Sequence, residues 1–188
     1  MIRIAKKNNW VIPSVYQGNY SAVARRTETE IFPTLRKHNI AFYAYSPIAG
    51  GFLTKTPEEL LVGGKGRWDP SHFLGKLSNM LYNKPGMLKG LEMWSEIAKE
   101  IGVTKAELAY RWIAYNSILK GELGDGIIIG ARNMEQLKET LAALTHGPLS
   151  DEVARKVDEM WKLVEEESPL DNYNDFIALQ QREPEVKV

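Results

Sequence analysis

Apolar and polar positions follow two rhythms along this chain, and the switches between them mark its elements. Residues 1–9 are short and basic and close on Asn8-Asn9, the pattern of the last turns of a helix stopped by turn formers, so the chain opens inside an element. The β-branched run Val11-Ile12-Pro13-Ser14-Val15-Tyr16 predicts a strand weakened by its proline. Thr27 to Lys37 carries Ile31, Phe32 and Leu35 at helical spacing, and Ala41 to Tyr45 predicts a second strand just after His38-Asn39. Strand, helix and strand in such close succession make the βαβ unit of a parallel sheet.

Residues 54–85 lose the rhythm around Gly63-Gly64-Lys65-Gly66 and predict a long loop, and long ordered loops are more often functional than merely connecting. Helical periodicity returns at Met87 to Ile101, closed by Gly102, and at Lys105 to Asn116, opened by a capping box of Thr104 and Glu107. Gly126 to Ile129 predicts a third strand. It runs through Gly130-Ala131-Arg132 into a helix from about Met134 to Leu144, with Asn133 as N-cap and Gln136 as its capping-box partner. The last clear helix, Asp151 to Glu165, follows Ser150 and lines up Val153, Val157, Met160, Trp161 and Val164 on one face. From Glu166 the chain is acidic and polar, which predicts an extended or disordered tail over 166–188 behind a domain of residues 1–165.

The length of 188 residues and a composition of 44% hydrophobic and 26% charged residues suit one α/β domain with a real core. Charge changes that picture little: 24 basic and 24 acidic residues cancel, and no basic stripe with interleaved aromatics points to nucleic acid. The absence of cysteine removes disulfide scaffolds, thiolate metal sites and cysteine nucleophiles. The first residues lack an apolar signal-peptide core, and no stretch approaches the roughly 18 apolar residues of a membrane helix, so the expected setting is cytoplasmic, without membrane partners.

The candidate chemistry begins at Gly130-Ala131-Arg132-Asn133, a small-residue turn from strand to helix whose first amides need acceptors. A phosphate can satisfy them, and Arg132 can add charge-assisted bonds of the kind a 2′-phosphate requires. By pattern alone, a plain tight turn with a solvated surface arginine is the favoured reading of the same residues.

Three ordered segments resolve that ambiguity. Tyr16-Gln17-Gly18-Asn19-Tyr20, then Tyr43-Ala44-Tyr45-Ser46-Pro47-Ile48-Ala49-Gly50-Gly51-Phe52-Leu53, then Ile128-Ile129-Gly130-Ala131-Arg132-Asn133-Met134-Glu135-Gln136-Leu137 together resemble the closing third of an aldo-keto reductase. Gln17-Gly18-Asn19-Tyr20 and Arg67-Trp68 resemble the aflatoxin-aldehyde-reductase branch and its fungal relatives in particular. The resemblance implies a partial (β/α)8 barrel, about strands 6 to 8 with their helices, followed by a C-terminal helix and tail. A complete barrel commonly takes about 250 residues, which agrees with a partial one here. The resemblance also implies the cofactor NADP(H). Ala131, Arg132, Asn133, Gln136 and Thr140 would meet its 2′-phosphate and adenine, with Gly130 opening the turn. Ser46, Ile48, Gly50 and Leu53 would cross its pyrophosphate, where Gly50-Gly51 permit close backbone approach. Tyr16 would stack on the nicotinamide, and Arg67 and Trp68 would belong to a substrate loop. Thr140 departs from the family's commoner Asn, and a helix-cap role for Gln136 competes with its cofactor role.

In such reductases a Tyr acid, a Lys, an Asp and a His perform the chemistry, and all four come from the first half of the barrel. None is assigned here, and His38, His72 and His146 fall in turns or in the long loop. Three functional readings follow: an NADP(H)-dependent reductase of small-molecule aldehydes and ketones in truncated form, inactive without its missing half; a half-barrel that pairs with a second copy or a complementing chain; or a non-enzymatic cofactor-binding regulatory module.

Overall fold

A computed structural model of the chain describes residues 1–62 and 68–181. Three parallel strands, β1 (Val15–Asn19), β2 (Ala41–Tyr45) and β3 (Gly126–Ile127), form one sheet in the order β1-β2-β3. The register sets Tyr16 opposite Phe42, Gly18 opposite Ala44, Tyr43 opposite Gly126 and Ala44 opposite Ile127. Because side chains alternate across a strand, Phe42 and Ala44 point to one face while Ala41, Tyr43 and Tyr45 point to the other.

The first face carries the core. Phe42 stacks on Phe32 with ring centroids 4.6 Å apart, and Tyr20 lies within 5.8–5.9 Å of Phe32, Phe42 and Trp112. Helix α1 (Ile2–Lys7) precedes the sheet, and the segment expected as one helix between β1 and β2 is two, α2 (Thr27–Glu30) and α3 (Phe32–Lys37), with Pro33 in the first turn of the second. The opposite face is covered only at its carboxyl end, where Asn19 is buried, and among the described residues nothing covers its start and middle, leaving Val15 42% and Tyr43 41% exposed.

Strand β1 begins later than the β-branched run predicts: the ladder starts where Ser14 accepts from the Ala41 amide, one residue past Pro13. Pairing with β2, not intrinsic propensity, selects the Gln17-Gly18-Asn19 stretch. β3 is shorter than expected, although the Ile128 amide still reaches the Ala44 carbonyl at 2.8 Å.

The expected loop over 54–85 contains two helices, α4 (Pro57–Leu61) and α5 (Phe73–Tyr82). Helix α4 opens on a complete capping box between Thr56 and Glu59. Helix α5 buries Gly75, Ser78, Leu81 and Tyr82, so its inward stripe is made partly of small residues that an apolar period misses. Gly63 to Arg67 lie outside the described residues.

Helix α6 (Pro85–Glu100) and α9 (Asp151–Val164) pack closely, and α7 (Lys105–Arg111) continues into a π-helical turn, Trp112–Asn116. Helix α8 (Met134–Thr145) starts at Asn133, as expected. The tail corrects expectation most: residues 172–180 form a further helix, α10 (Asn172–Gln180), against α5. Phe176 is its fully buried anchor, edge-on to Phe73 at 5.3 Å, and the Asp171 carboxylate accepts the first amides, from Tyr173 at 3.1 Å and Asn174 at 2.7 Å.

Candidate functional site

At the C-terminal ends of β2 and β3 the chain opens a cleft of about 1110 Å³. Parallel α/β sheets characteristically present ligands there, outside the carboxyl ends of their strands. One wall is the loop Ser46–Lys55, the floor is Ile128 to Arg132, and the far wall comes from α7 and α8 through Glu107, Tyr110, Gln136, Thr140 and His146.

The loop wall is built from unusual backbone. Ser46 and Ala49 have φ of 57° and 51°, Gly50 and Gly51 of 65° and 97°, so four of six consecutive residues are left-handed. Two of them are not glycine, and such conformations persist only when the surroundings fix them. The surroundings here are two indoles: Trp68 Nε1 donates to the Gly50 carbonyl at 3.3 Å, and Trp94 Nε1 donates to the Leu53 carbonyl at 3.1 Å. Phe52 beneath the loop stacks on Tyr82 at 5.3 Å. At the loop's end the Lys105 ammonium donates to the Lys55 carbonyl, and its pKa is lowered, chiefly by burial, with Lys55 adding to the effect and Glu59 and Glu58 opposing it.

The strand-to-helix turn faces this loop. Gly130, Ala131 and Arg132 are all exposed to the cleft, and a Cβ built on Gly130 would meet nothing within 4 Å. Asn133 Oδ1 accepts from the Gln136 amide at 2.9 Å, while Gln136 Oε1 accepts from the Arg132 amide at 3.0 Å, one residue before the expected capping-box partner. The helix start is therefore already capped by its own side chains, and the positive element left for a ligand is the Arg132 guanidinium, which has no ion-pair partner among the described residues.

The far wall is polar and internally paired. Glu107 Oε1 meets Arg111 Nη1 at 3.1 Å and His146 Nδ1 at 2.9 Å, so Thr104 caps α7 without the reciprocal bond expected of a capping box. Thr140 is buried and hydrogen-bonds Tyr110, whose pKa is raised by burial despite that bond.

The cleft thus gathers Ser46, Ile48, Gly50, Trp68, Gly130, Ala131, Arg132, Gln136 and Thr140 of the residues expected from sequence. Leu53 lies beneath the loop with no exposure, and Asn133 serves the cap. Trp68 is buried against Phe52 and Tyr82, which makes it a support of the loop more than a surface for substrate. Arg67 lies outside the described residues. Tyr16 is not brought to the cleft: it shares the helix-side face with Phe42, ring centroids 5.7 Å apart, whereas Gln17 and Tyr43 share the open face. Sequence reasoning missed Lys55, Glu107, Tyr110 and His146. The i, i+3 spacing of Glu107 and Tyr110 put both on one helix face, but only the tertiary fold turns that face toward α8.

Among the described residues there is no cluster of His, Cys, Asp or Glu able to hold a metal, and no helix long and apolar enough to cross a membrane. An open cleft with apolar sides at Pro47, Ile48, Ile128 and Ala142, and with Lys55 and Arg132 unpaired among the described residues beside the Glu139 carboxylate, offers apolar contact together with cationic groups for an amphipathic anion.

Comparison with known proteins agrees with the motifs. Residues 1–162 match the Aldo/keto reductase family. Relatives include "Oxidoreductase sirO" of Leptosphaeria maculans, 41% identical over 88% of this chain and 50% of its own length. "Aflatoxin B1 aldehyde reductase member 2" of Homo sapiens is 36% identical over 88% of this chain and 48% of its length. "Aldo-keto reductase pigE" of Monascus ruber is 34% identical over 85% of this chain and 48% of its length. The chain spans about half the length of these curated relatives.

Proposed function

The chain belongs to the aldo/keto reductase family, and from that premise we propose that it is the cofactor-holding part of an NADP(H)-dependent reductase of small-molecule aldehydes or ketones. On this reading its three strands are the closing strands of a (β/α)8 barrel. The observation that carries it is the cleft itself, in which the family-like loop and the family-like helix start face each other across a volume large enough for a dinucleotide, with Arg132 unpaired at one end. NADPH supplies a hydride when bound. The residues of this chain that would hold it are the Ser46–Gly51 backbone, for the pyrophosphate, and Arg132, for the 2′-phosphate that distinguishes NADPH from NADH. Tyr110 and Thr140, already bonded to each other, would meet its adenosine end. The proton donor for the carbonyl would come from the half of the family domain that precedes these strands.

Titration of the chain with NADPH and NADH by calorimetry tests this. A charge-assisted phosphate contact is worth about 1.5–3 kcal/mol, so NADPH should bind roughly 10- to 100-fold more tightly than NADH, and Arg132→Ala should erase the difference. Equal affinity for both nucleotides, unchanged in the variant, would refute the assignment, as would the absence of binding to either.

A second reading, a half-barrel that assembles with a second copy or a complementing chain, is favoured by the uncovered sheet face with Val15 and Tyr43 exposed and by two strands, β1 and β3, at open sheet edges.

A further inference from the structure

Helix α10 and the turn before it lie outside both the family match and the cleft, yet two chains of contact run from them to the cleft wall. The pivot is Asn172. Its Oδ1 accepts from Asn19 Nδ2 at 3.0 Å and from the Tyr82 hydroxyl at 3.2 Å, and its backbone N–H donates to the Tyr45 phenol oxygen. Tyr82 stacks on Phe52 in the middle of the loop wall. Tyr45 is the residue immediately before Ser46, where the loop enters its left-handed conformation. One asparagine therefore touches a residue adjoining the start of the loop and a ring packed under its centre.

The neighbourhood is arranged to hold that asparagine in place. Asn19 is 1% exposed, and its own Oδ1 has no partner, so its amide is committed to Asn172 through Nδ2 alone. Asp175 Oδ2 accepts from the Leu170 and Asp171 amides at 2.7 and 3.1 Å, closing the turn on which Asn172 sits. Ser168 Oγ donates to the Val23 carbonyl at 2.9 Å, and the Lys84 ammonium to the Glu167 carbonyl at 2.9 Å, tying the approach to the turn down on both sides. The segment 167–176 is a strap fastened across the C-terminal ends of β1 and β2.

We infer that Asn172 is a positioning residue for the Ser46–Lys55 loop, so that the C-terminal strap sets the geometry, and with it the ligand affinity, of a cleft it does not line. The inference rests on the nucleotide reading above for the word affinity, but not for the coupling between strap and loop. Strained left-handed residues at Ser46 and Ala49 relax once their supports loosen, and Asn172 supports the loop at two points.

Two measurements separate these parts. Hydrogen exchange needs no ligand: in Asn172→Ala the amides of residues 46–55 should exchange about tenfold faster or more, while those of α8, which makes no contact with the strap, stay at their native rate. Unchanged exchange over 46–55 would overturn the inference whatever the nucleotide result. Titration with NADPH well below the unfolding temperature should show the same variant weakened about tenfold. Asn172→Asp, which restores the Oδ1 acceptor that Asn172→Ala removes while the backbone donor is present in both, should recover most of the affinity, whereas a purely structural loss would not be restored by it. Tyr82→Phe, which keeps the ring on Phe52 and removes only the hydroxyl, should give a smaller loop acceleration than Asn172→Ala. An effect as large as that of Asn172→Ala would place the coupling in Tyr82 alone and refute the role of Asn172. Failure of the wild-type chain to bind NADPH, with loop exchange still dependent on Asn172, would sink the nucleotide reading and leave the positioning role standing.

Discussion

Asp125 is the place where one carboxylate holds three elements together, and its removal is predicted to cost more stability than any other single polar substitution in the described chain. Its side chain has no exposure. It accepts two bonds from the Arg36 guanidinium of α3, one of them 3.0 Å, one from the Phe42 amide of β2 at 2.8 Å, and one from the Lys120 amide at 2.8 Å. Residues 126 and 127, which follow it directly, are the whole of β3. A two-residue strand cannot fix its own register, so Asp125 supplies what the short ladder lacks.

In Asp125→Ala the guanidinium loses its counter-charge and two amides lose their acceptor. Breaking a buried pair from one side costs about 3–5 kcal/mol, and the lower part of that range applies because Arg36 keeps 27% of its side chain in water. The orphaned Phe42 amide, inside the sheet, adds about 1 kcal/mol or more, while the Lys120 amide lies at an exposed residue and can turn to solvent. The expected loss is about 4 kcal/mol, a large share of the 5–15 kcal/mol typical of a domain. With a urea slope of about 2 kcal/mol/M the midpoint falls by roughly 2 M, read by circular dichroism at pH 7. Acidity gives an independent check. Burial, the largest influence, would raise the Asp125 pKa, but the Arg36 bond and the Lys120 and Phe42 amides outweigh it, and the net direction is down. The stabilisation is then complete above the unfolded-state pKa of about 3.9 and disappears as pH falls through the lower folded-state value. The gap between wild type and variant should stay constant from pH 7 to about 5 and close only in stronger acid. A loss below about 1 kcal/mol at pH 7, or a gap independent of pH down to 2, would refute the reasoning.

Helix packing offers a sharper geometric test at Gly90 of α6, where an added Cβ would lie 2.3 Å from Val164 Cγ1 of α9. Gly90→Ala should destabilise by about 1–3 kcal/mol in thermal unfolding despite alanine's better helix propensity, and pairing it with Val164→Ala should recover part of the loss; a neutral or stabilising Gly90→Ala would show that the two helices are not so closely packed. For the uncovered sheet face, sedimentation of the chain should reveal self-association that Tyr43→Lys abolishes. A monomer at every concentration that binds no complementing chain would remove the assembly reading.

Legibility from sequence followed the range of the interaction that decides each element. The α8 start was readable because Asn133 and the Gln136 amide it caps are three residues apart, and α9 because its apolar stripe repeats every turn. Helix α5 was not, since two of its inward positions are Gly75 and Ser78, chosen for close approach rather than for apolarity: a Cβ on Gly75 would lie 1.7 Å from the Asp69 carbonyl. Helix α10 hid behind an acidic composition, although Asp171 two residues ahead of Tyr173 was a cap that could have been recognised. The loop wall of the cleft was readable through its Ser-Pro and Gly-Gly punctuation. What holds it in shape was not, because Trp68 and Trp94 are 18 and 41 residues distant from the carbonyls they bond, and Asn172 lies farther still. Tyr16 shows the same limit from the other side: motif order put it near the cleft, but a strand sends neighbouring side chains to opposite faces, and the pairing with Phe42 turns it toward the helices.

Strand β2 bears on what the open face is for. A strand with one face in water is expected to alternate apolar and polar residues, whereas one covered on both faces reads as continuously apolar. The sequence Ala41-Phe42-Tyr43-Ala44-Tyr45 contains no charged or amide residue at all, although only Phe42 and Ala44 are buried by the helices. Its composition is that of a doubly covered strand, and Tyr43 is the position where this conflicts most with its surroundings. Tyr45 escapes the conflict because the strap reaches over the strand end to bond its phenol oxygen. The strap therefore does for the carboxyl end of this face what nothing among the described residues does for its middle. The same contact that completes the face at Tyr45 also leads into the cleft at Ser46, so covering the sheet and shaping the cleft are served by one segment. Any further layer laid over Tyr43 would meet the strap at its edge and would be felt at the loop through Asn172.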